Sequence, residues 1–146
     1  MARRIYLAYG SNMNMAQMAQ RCPDAKVLGT ARLLGWRLLF RGAEDCAFAT
    51  IEPHRGSTVP VLLWEISPTD ERRLDRYEGW PMHYFKQDLT VTLGGKETSA
   101  MAYIMTEGRP LGLPSPWYLA TIREGYKDCR LSFATLKKAL DDSQEE

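Results

Sequence analysis

Apolar positions fall along this chain in short runs of two different periods. Ile5–Tyr9 is a strand-like run that stops at Gly10-Ser11-Asn12, residues suited to turns and helix caps. Met15, Met18 and Ala19 then stand at i, i+3, i+4, which predicts a short helix capped by Asn12 or Asn14 and ended at Cys22-Pro23-Asp24. Further strand-like runs occupy Val27–Leu34, Trp36–Phe40, Ala47–Ile51 and Val59–Ile66, with Pro60 at the start of the last. Ser67-Pro68-Thr69-Asp70-Glu71 reads as a helix start, with a hydroxyl cap, a proline in the first position and carboxylates at the positive end of the dipole. That helix extends to Glu78 and stops at Gly79. Tyr84–Leu93 and Thr98–Met105 flank Gly94-Gly95, a two-residue hairpin turn. Ser115 caps a helix over 116–127, and Ser132 caps a last one with Phe133, Leu136 and Leu140 on one face. The acidic tail Asp141–Glu146 is expected to fray. Strands and helices mix without βαβ regularity, so the expected class is α+β: a small mixed β-barrel or strongly curved sheet with helices packed outside.

Length adds that one domain, 1–146, is expected, since neither repeat nor linker interrupts the chain. With 19 basic and 18 acidic residues the formal net charge is +1, without the electrostatic footprint of a nucleic-acid or membrane-surface binder. No 18-residue apolar run suggests a spanning helix, and the N-terminal apolar stretch is too short for a signal peptide. Cys22, Cys46 and Cys129 lack CxxC spacing and read as buried or half-buried thiols in a reducing, cytoplasmic compartment. His54 and His83 belong to no metal-ligand spacing; His54 is expected in a solvated loop, and His83 flanks a stretch that could line a pocket. No GxSxG elbow, phosphate-cradling loop or GxGxxG is present, so metal, nucleotide and disulfide chemistry lack support.

Two features could carry chemistry. Leu74, Tyr77 and Glu78 share one helical face, which sets Glu78 on the inward stripe and at the negative end of the dipole. Both conditions raise a carboxyl pKa toward the range of a general acid or base. Asp75 points away from that face. The alternative is a Glu78 paired with Arg32 or Arg37, or frayed at a helix end. Tyr9-Gly10-Ser11-Asn12, between a strand and a helix, can aim successive N–H groups at an anion or oxyanion; it is equally an ordinary joint with an asparagine cap.

Taken together, Tyr-Gly-Ser-Asn at 9–12, Leu-Asp-Arg-Tyr-Glu-Gly at 74–79 followed by Tyr84, and Pro-Ser-Pro-Trp-Tyr at 114–118 resemble the gamma-glutamylcyclotransferase family. Ala31-Arg32-Leu33 and Ala49-Thr50-Ile51 also look like its internal strands, and the likeness runs in order from Ile5 to Tyr126. The resemblance implies a small mixed β-barrel with outer helices, no cofactor and no metal. It implies conversion of a gamma-glutamyl amino acid or amine, a small-molecule substrate, to 5-oxoproline and the released amine. By the same resemblance Glu78 falls at the catalytic glutamate. Tyr9, Gly10, Ser11, Asn12 and Met13 fall in the loop that binds the glutamyl group, largely through backbone N–H groups, and Tyr84 and Tyr118 among tyrosines lining the pocket. The chemistry suits the residues: attacking amine and carbonyl share one molecule, so orientation supplies much of the rate and one carboxylate can move both protons. The competing reading is a non-catalytic binding module on the same fold. Self-association into a homo-oligomer stays open.

Overall fold

The structure, a computed structural model, describes residues 3–144. Its elements in chain order are β1 (Arg4–Ala8), a single 3-10 turn (Ser11–Met13), α1 (Met15–Arg21), β2 (Lys26–Ala43), β3 (Cys46–Ile66), α2 (Pro68–Glu78), β4 (Tyr84–Leu93), β5 (Lys96–Met105), α3 (Pro116–Asp128) and α4 (Ala134–Asp142). The strands form one five-stranded mixed sheet in the order β2-β3-β1-β5-β4. The short β1 sits in its middle, antiparallel to β3 from Arg4↔Ile66 to Ala8↔Leu62 and parallel to β5 at Tyr6↔Met101.

Of the two expected forms, the curved sheet is found and the closed barrel is not. No ladder joins the edge strands β2 and β4 among the described residues. The edges nonetheless curl together, since a Cβ at Gly29 would stand 3.1 Å from Leu93 Cδ1. β2 is bulged beside this point, between Val27 and Gly29, and a bulge bends its strand and leaves a residue unpaired.

The four strand-like runs between residues 27 and 66 merge into one long hairpin. Leu34 pairs with Thr58 and Trp36 with Pro53, so Gly35, at φ 81°, faces the four-residue excursion 54–57. His54, expected in a loop, lies in that exposed excursion, its Nδ1 2.7 Å from Ser57 Oγ. The α2 signals act as read. Ser67 Oγ accepts the Asp70 N–H at 3.1 Å, the Asp70 carboxylate accepts the Ser67 N–H at 3.3 Å, and Gly79 closes the helix in the left-handed region at φ 69°. Gly94 and Gly95 both take positive φ in the β4–β5 turn, 59° and 79°.

The C-terminal segment corrects two expectations. Phe133 rather than Ser132 is the residue at the start of α4, although the Ser132 hydroxyl accepts the Ala134 N–H at 3.1 Å. The tail is not frayed through residue 144: Asp141 and Asp142 belong to α4, and buried Ser143 accepts the Phe40 N–H at 2.9 Å while donating to Ala139 O at 2.6 Å. The fraying expected of Glu145 and Glu146 lies outside the described residues. Beneath these elements one core joins Leu7, Phe40, Ile51, Leu63, Ile66, Leu74, Ile122 and Tyr126. No helix of the described residues is long and apolar enough to cross a membrane.

Candidate active site

Phe40 and Ala49 are opposite residues in the β2–β3 ladder, and their peptide groups show why a cleft forms here. The Phe40 N–H goes to Ser143 Oγ and its C=O to the Gly112 N–H at 3.1 Å. Both groups therefore point away from β3, as in the non-hydrogen-bonded pairs of an antiparallel ladder. Ala49 does the same on the other side, where β3 has no neighbouring strand. Its N–H donates to Tyr118 Oη at 3.0 Å, and its C=O accepts from Tyr84 Oη at 2.9 Å. Buried peptide groups require partners, and phenols from α3 and β4 supply them.

These two tyrosines wall a cleft of about 870 Å³ that is also lined by Tyr9, Gly10, Ser11, Asn12 and Glu78. The candidates from three distant stretches of sequence are thus brought to one place. Met13 is the exception: fully buried, it lies beneath the 3-10 turn, and its N–H is already given to Gly10 O at 3.0 Å. The Ser11 and Asn12 N–H groups, at the start of that turn, take no acceptor among the described residues and remain available to a ligand. Gly10 is required by close approach, since a Cβ there would stand 3.1 Å from Ala49 Cβ and 3.6 Å from Tyr118 Oη. Tyr9 is anchored by donating to Tyr103 O at 2.5 Å.

The inward face expected of α2 divides in two. Leu74 enters the core, while Tyr77 is 43% exposed and turns to the cleft, its Oη 3.2 Å from Ser11 Oγ. Glu78 lines the cleft and makes no salt bridge among the described residues; Arg37 pairs with Glu52 instead. Loss of hydration raises the Glu78 pKa from 4.5 to about 7, with the Arg21 guanidinium pulling in the opposite direction. At neutral pH the group is therefore divided between acid and base. Asp75 has a structural position, accepting from Tyr103 Oη at 2.5 Å and pairing with Lys86 at 2.9 Å.

Several contributors escaped the sequence reading. Arg21 stacks 3.5 Å from the Tyr77 ring centroid and donates to Asn12 Oδ1 at 2.5 Å. Asn12 is pinned further, its Nδ2 donating to Tyr6 Oη at 2.9 Å and its C=O accepting from Trp64 Nε1 at 3.0 Å. Its side chain and carbonyl are thus consumed by the scaffold, while its N–H takes no acceptor among the described residues. Arg76 and Arg109 also line the cleft, with Cys46 and Phe48, and His83 joins them there, as its place beside a pocket-lining stretch allowed. Cys46 is exposed, against the expectation of a buried or half-buried thiol, because it begins β3 at the tip of the hairpin. Cys22 is buried and Cys129 half-buried, and all three thiols are free. Arg21, Tyr6 and Arg109 had no local signal; only a fold that brings α1, β1 and the segment after β5 around Glu78 reveals them. No group of three or more potential metal ligands occurs among the described residues.

Comparison with known proteins gives a consistent result. Residues 6–120 match the family described as gamma-glutamyl cyclotransferase, AIG2-like. The human gamma-glutamylcyclotransferase is 30% identical over 135 residues, covering 85% of this chain and 70% of its own. The bovine gamma-glutamylcyclotransferase is 31% identical over 143 residues, covering 92% and 76%. A solved gamma-glutamyl cyclotransferase structure superposes with a TM-score of 0.81 at 28% identity, over 94% of this chain and 86% of that one.

Proposed function

The chain belongs to the gamma-glutamyl cyclotransferase, AIG2-like family, and on that premise we propose that it cyclises a gamma-glutamyl amino acid or amine to 5-oxoproline and releases the amine. The observation that carries this reading is a single desolvated carboxyl, Glu78, sharing a cleft with two free backbone N–H groups. The Ser11 and Asn12 N–H groups hold the glutamyl part and receive charge from the gamma-carbonyl oxygen. Tyr84 and Tyr118 orient it, with Tyr9 behind them; Gly10 lets it approach the main chain, and Met13 supports the turn from below.

Glu78, as carboxylate, takes a proton from the alpha-ammonium. The freed amine attacks the gamma-carbonyl carbon, forming the ring C–N bond and a tetrahedral intermediate. The oxyanion then re-forms the carbonyl as the Glu78 acid gives its proton to the departing nitrogen and the bond to that nitrogen breaks; the regenerated carboxylate takes the second proton from the ring nitrogen, leaving the neutral lactam, and passes it to the released amine, which leaves as its ammonium. Charge and protons balance without an enzyme nucleophile or added water. Intramolecular attack has effective molarities of about 10⁵–10⁸ M, so positioning provides a large share of the rate. A pKa near 7 suits both halves of the proton transfer.

The test is incubation of the protein, and of Glu78→Gln beside it, with a panel of gamma-glutamyl amino acids and amines, products being read by mass spectrometry. 5-Oxoproline from wild type, reduced by roughly 10²–10⁴-fold in the variant, is expected. Full turnover by folded Glu78→Gln removes Glu78 from the mechanism. Binding without turnover by wild type leaves the non-catalytic module.

A further inference from the structure

The two working parts of the cleft come from different elements. Glu78 ends α2, whereas the free Ser11 and Asn12 N–H groups belong to the turn after β1. Tyr77, the residue before Glu78, is 43% exposed, so burial alone does not fix the last turn of α2 against that loop. Two contacts do so instead. Tyr77 Oη lies 3.2 Å from Ser11 Oγ, and the Arg21 guanidinium covers the Tyr77 ring at 3.5 Å from its centroid while its Nη1 donates to Asn12 Oδ1 at 2.5 Å. One planar group thus joins α1, the turn and α2. A guanidinium is suited to this because it stacks with its face and donates along its edge.

Arg21 is also a half-buried cation without a counter-ion, since it forms no salt bridge among the described residues. Asp24, the carboxylate nearest to it in sequence, accepts instead from Ser67 Oγ at 3.0 Å. An amide oxygen and a ring face are neutral partners, so the positive charge is left to act on Glu78, where it opposes the effect of burial. The other groups facing Glu78 do not replace it. Burial, with charges that include Glu78, pushes the phenols of Tyr6, Tyr9, Tyr84 and Tyr118 up, so none of them ionises near neutral pH. Arg76 and His83 are exposed, and Arg109 is engaged with His83 Nδ1 at 3.0 Å. Arg21 itself stands behind the cleft wall and acts through Asn12, Tyr77 and Glu78.

We propose that Arg21 is a positioning residue of the reaction: clasped between the Tyr77 ring and Asn12 Oδ1, its guanidinium locks the end of α2 that carries Glu78 to the turn that presents the Ser11 and Asn12 N–H groups, and keeps an unpaired positive charge behind the acid. This rests on the cyclotransferase reading of the same cleft. The clasp sets the separation of proton carrier and oxyanion donors, which catalysis by orientation needs to within about 0.5 Å. The charge holds a share of Glu78 as the carboxylate that takes the first proton.

Arg21→Met and Arg21→Lys, assayed from pH 5 to 9 on the best gamma-glutamyl compound of the panel, separate the two parts. In Arg21→Met the acid limb of kcat/KM should move up by about one pH unit, because burial of Glu78 is then unopposed. Its plateau kcat should fall by roughly 10- to 100-fold, with KM changed by no more than about twofold, since Arg21 touches no substrate. Arg21→Lys keeps the charge without the fork, so the limb should stay in place while kcat still falls. An unmoved limb in folded Arg21→Met, a loss confined to KM, or wild-type kcat in Arg21→Lys overturns the proposal. If Arg21→Met does not fold, Arg21→Lys decides alone: reduced kcat on an unmoved limb supports it, and any other result overturns it. If wild type forms no 5-oxoproline, the cyclotransferase reading falls, and 13C NMR titration of the Glu78 carboxyl takes over. A midpoint raised in Arg21→Met and restored in Arg21→Lys still supports Arg21 as the charge behind the acid; an unchanged midpoint overturns it.

Discussion

Replacing Glu78 by glutamine is expected to strengthen the fold while it weakens the chemistry, and the size of the gain should depend on pH. The carboxyl titrates near 4.5 when solvated and near 7 in the folded cleft, because burial opposes its ionisation more than Arg21 favours it. Below pH 4.5 it is protonated in folded and unfolded chains alike and contributes no difference. As pH rises through the window from 4.5 to about 7, the unfolded chain releases the proton first, so folding stability is progressively lost. At about 1.4 kcal/mol per pH unit the full effect approaches about 3 kcal/mol, reduced to about 2 kcal/mol because the side chain is only half-buried beside an open cleft. Glutamine is isosteric and neutral and lacks this penalty. Urea titrations of both proteins at intervals from pH 5 to 8 should show Glu78→Gln gaining steadily on wild type. By pH 8 its Tm should be higher by roughly 4–8 °C at about 2–4 °C per kcal/mol. A stability difference independent of pH, or a wild type that is the more stable at pH 8, would refute the assignment of a desolvated carboxyl.

The same group predicts that kcat/KM for 5-oxoproline formation rises with pH across an acid limb centred near 7, as the base form of Glu78 accumulates; a limb near 4.5 would place the carboxyl in water. Gly10→Ala sets a methyl group 3.1 Å from Ala49 Cβ, on a strand whose backbone is fixed from both sides, so the turn must yield. Turnover measured on the best substrate of the panel should fall by about tenfold, a barrier rise of about 1.4 kcal/mol. Ser143→Ala removes the hydroxyl that accepts the Phe40 N–H. Chemical denaturation should show a loss of about 1–3 kcal/mol, with turnover kept in the folded protein.

Local chemistry made some of this molecule legible and long-range assembly concealed the rest. The start and stop of α2 follow from Ser67, Pro68, Asp70 and Gly79, each acting on atoms within a few residues, so the helix that carries Glu78 was readable to its ends. The β4–β5 hairpin was similarly declared by Gly94-Gly95. The continuous β2 and β3 strands were not, because Gly35 and the 54–57 excursion resemble turns until a partner strand absorbs them as an irregularity. The placement of β1 between β3 and β5 has no local sign, and with it went the positions of Tyr6, Arg21 and Arg109 around the cleft. Helical spacing put Leu74, Tyr77 and Glu78 on one face, but could not tell core from cleft along it. Met13 belongs to the same short motif as Asn12 yet lies under the turn, a distinction that 3-10 geometry makes and spacing does not.

The peptide group of Ala49, gripped between the phenols of Tyr118 and Tyr84, divides the molecule's capacity for change. The inner end of the cleft is measured against main-chain atoms, so its dimensions persist whatever side chain points elsewhere on that strand. The outer end is built from side chains, Phe48, His83 and Arg109. Under the proposed reaction, variation at the mouth would retune which amine departs, while the geometry imposed on the glutamyl half is inherited intact.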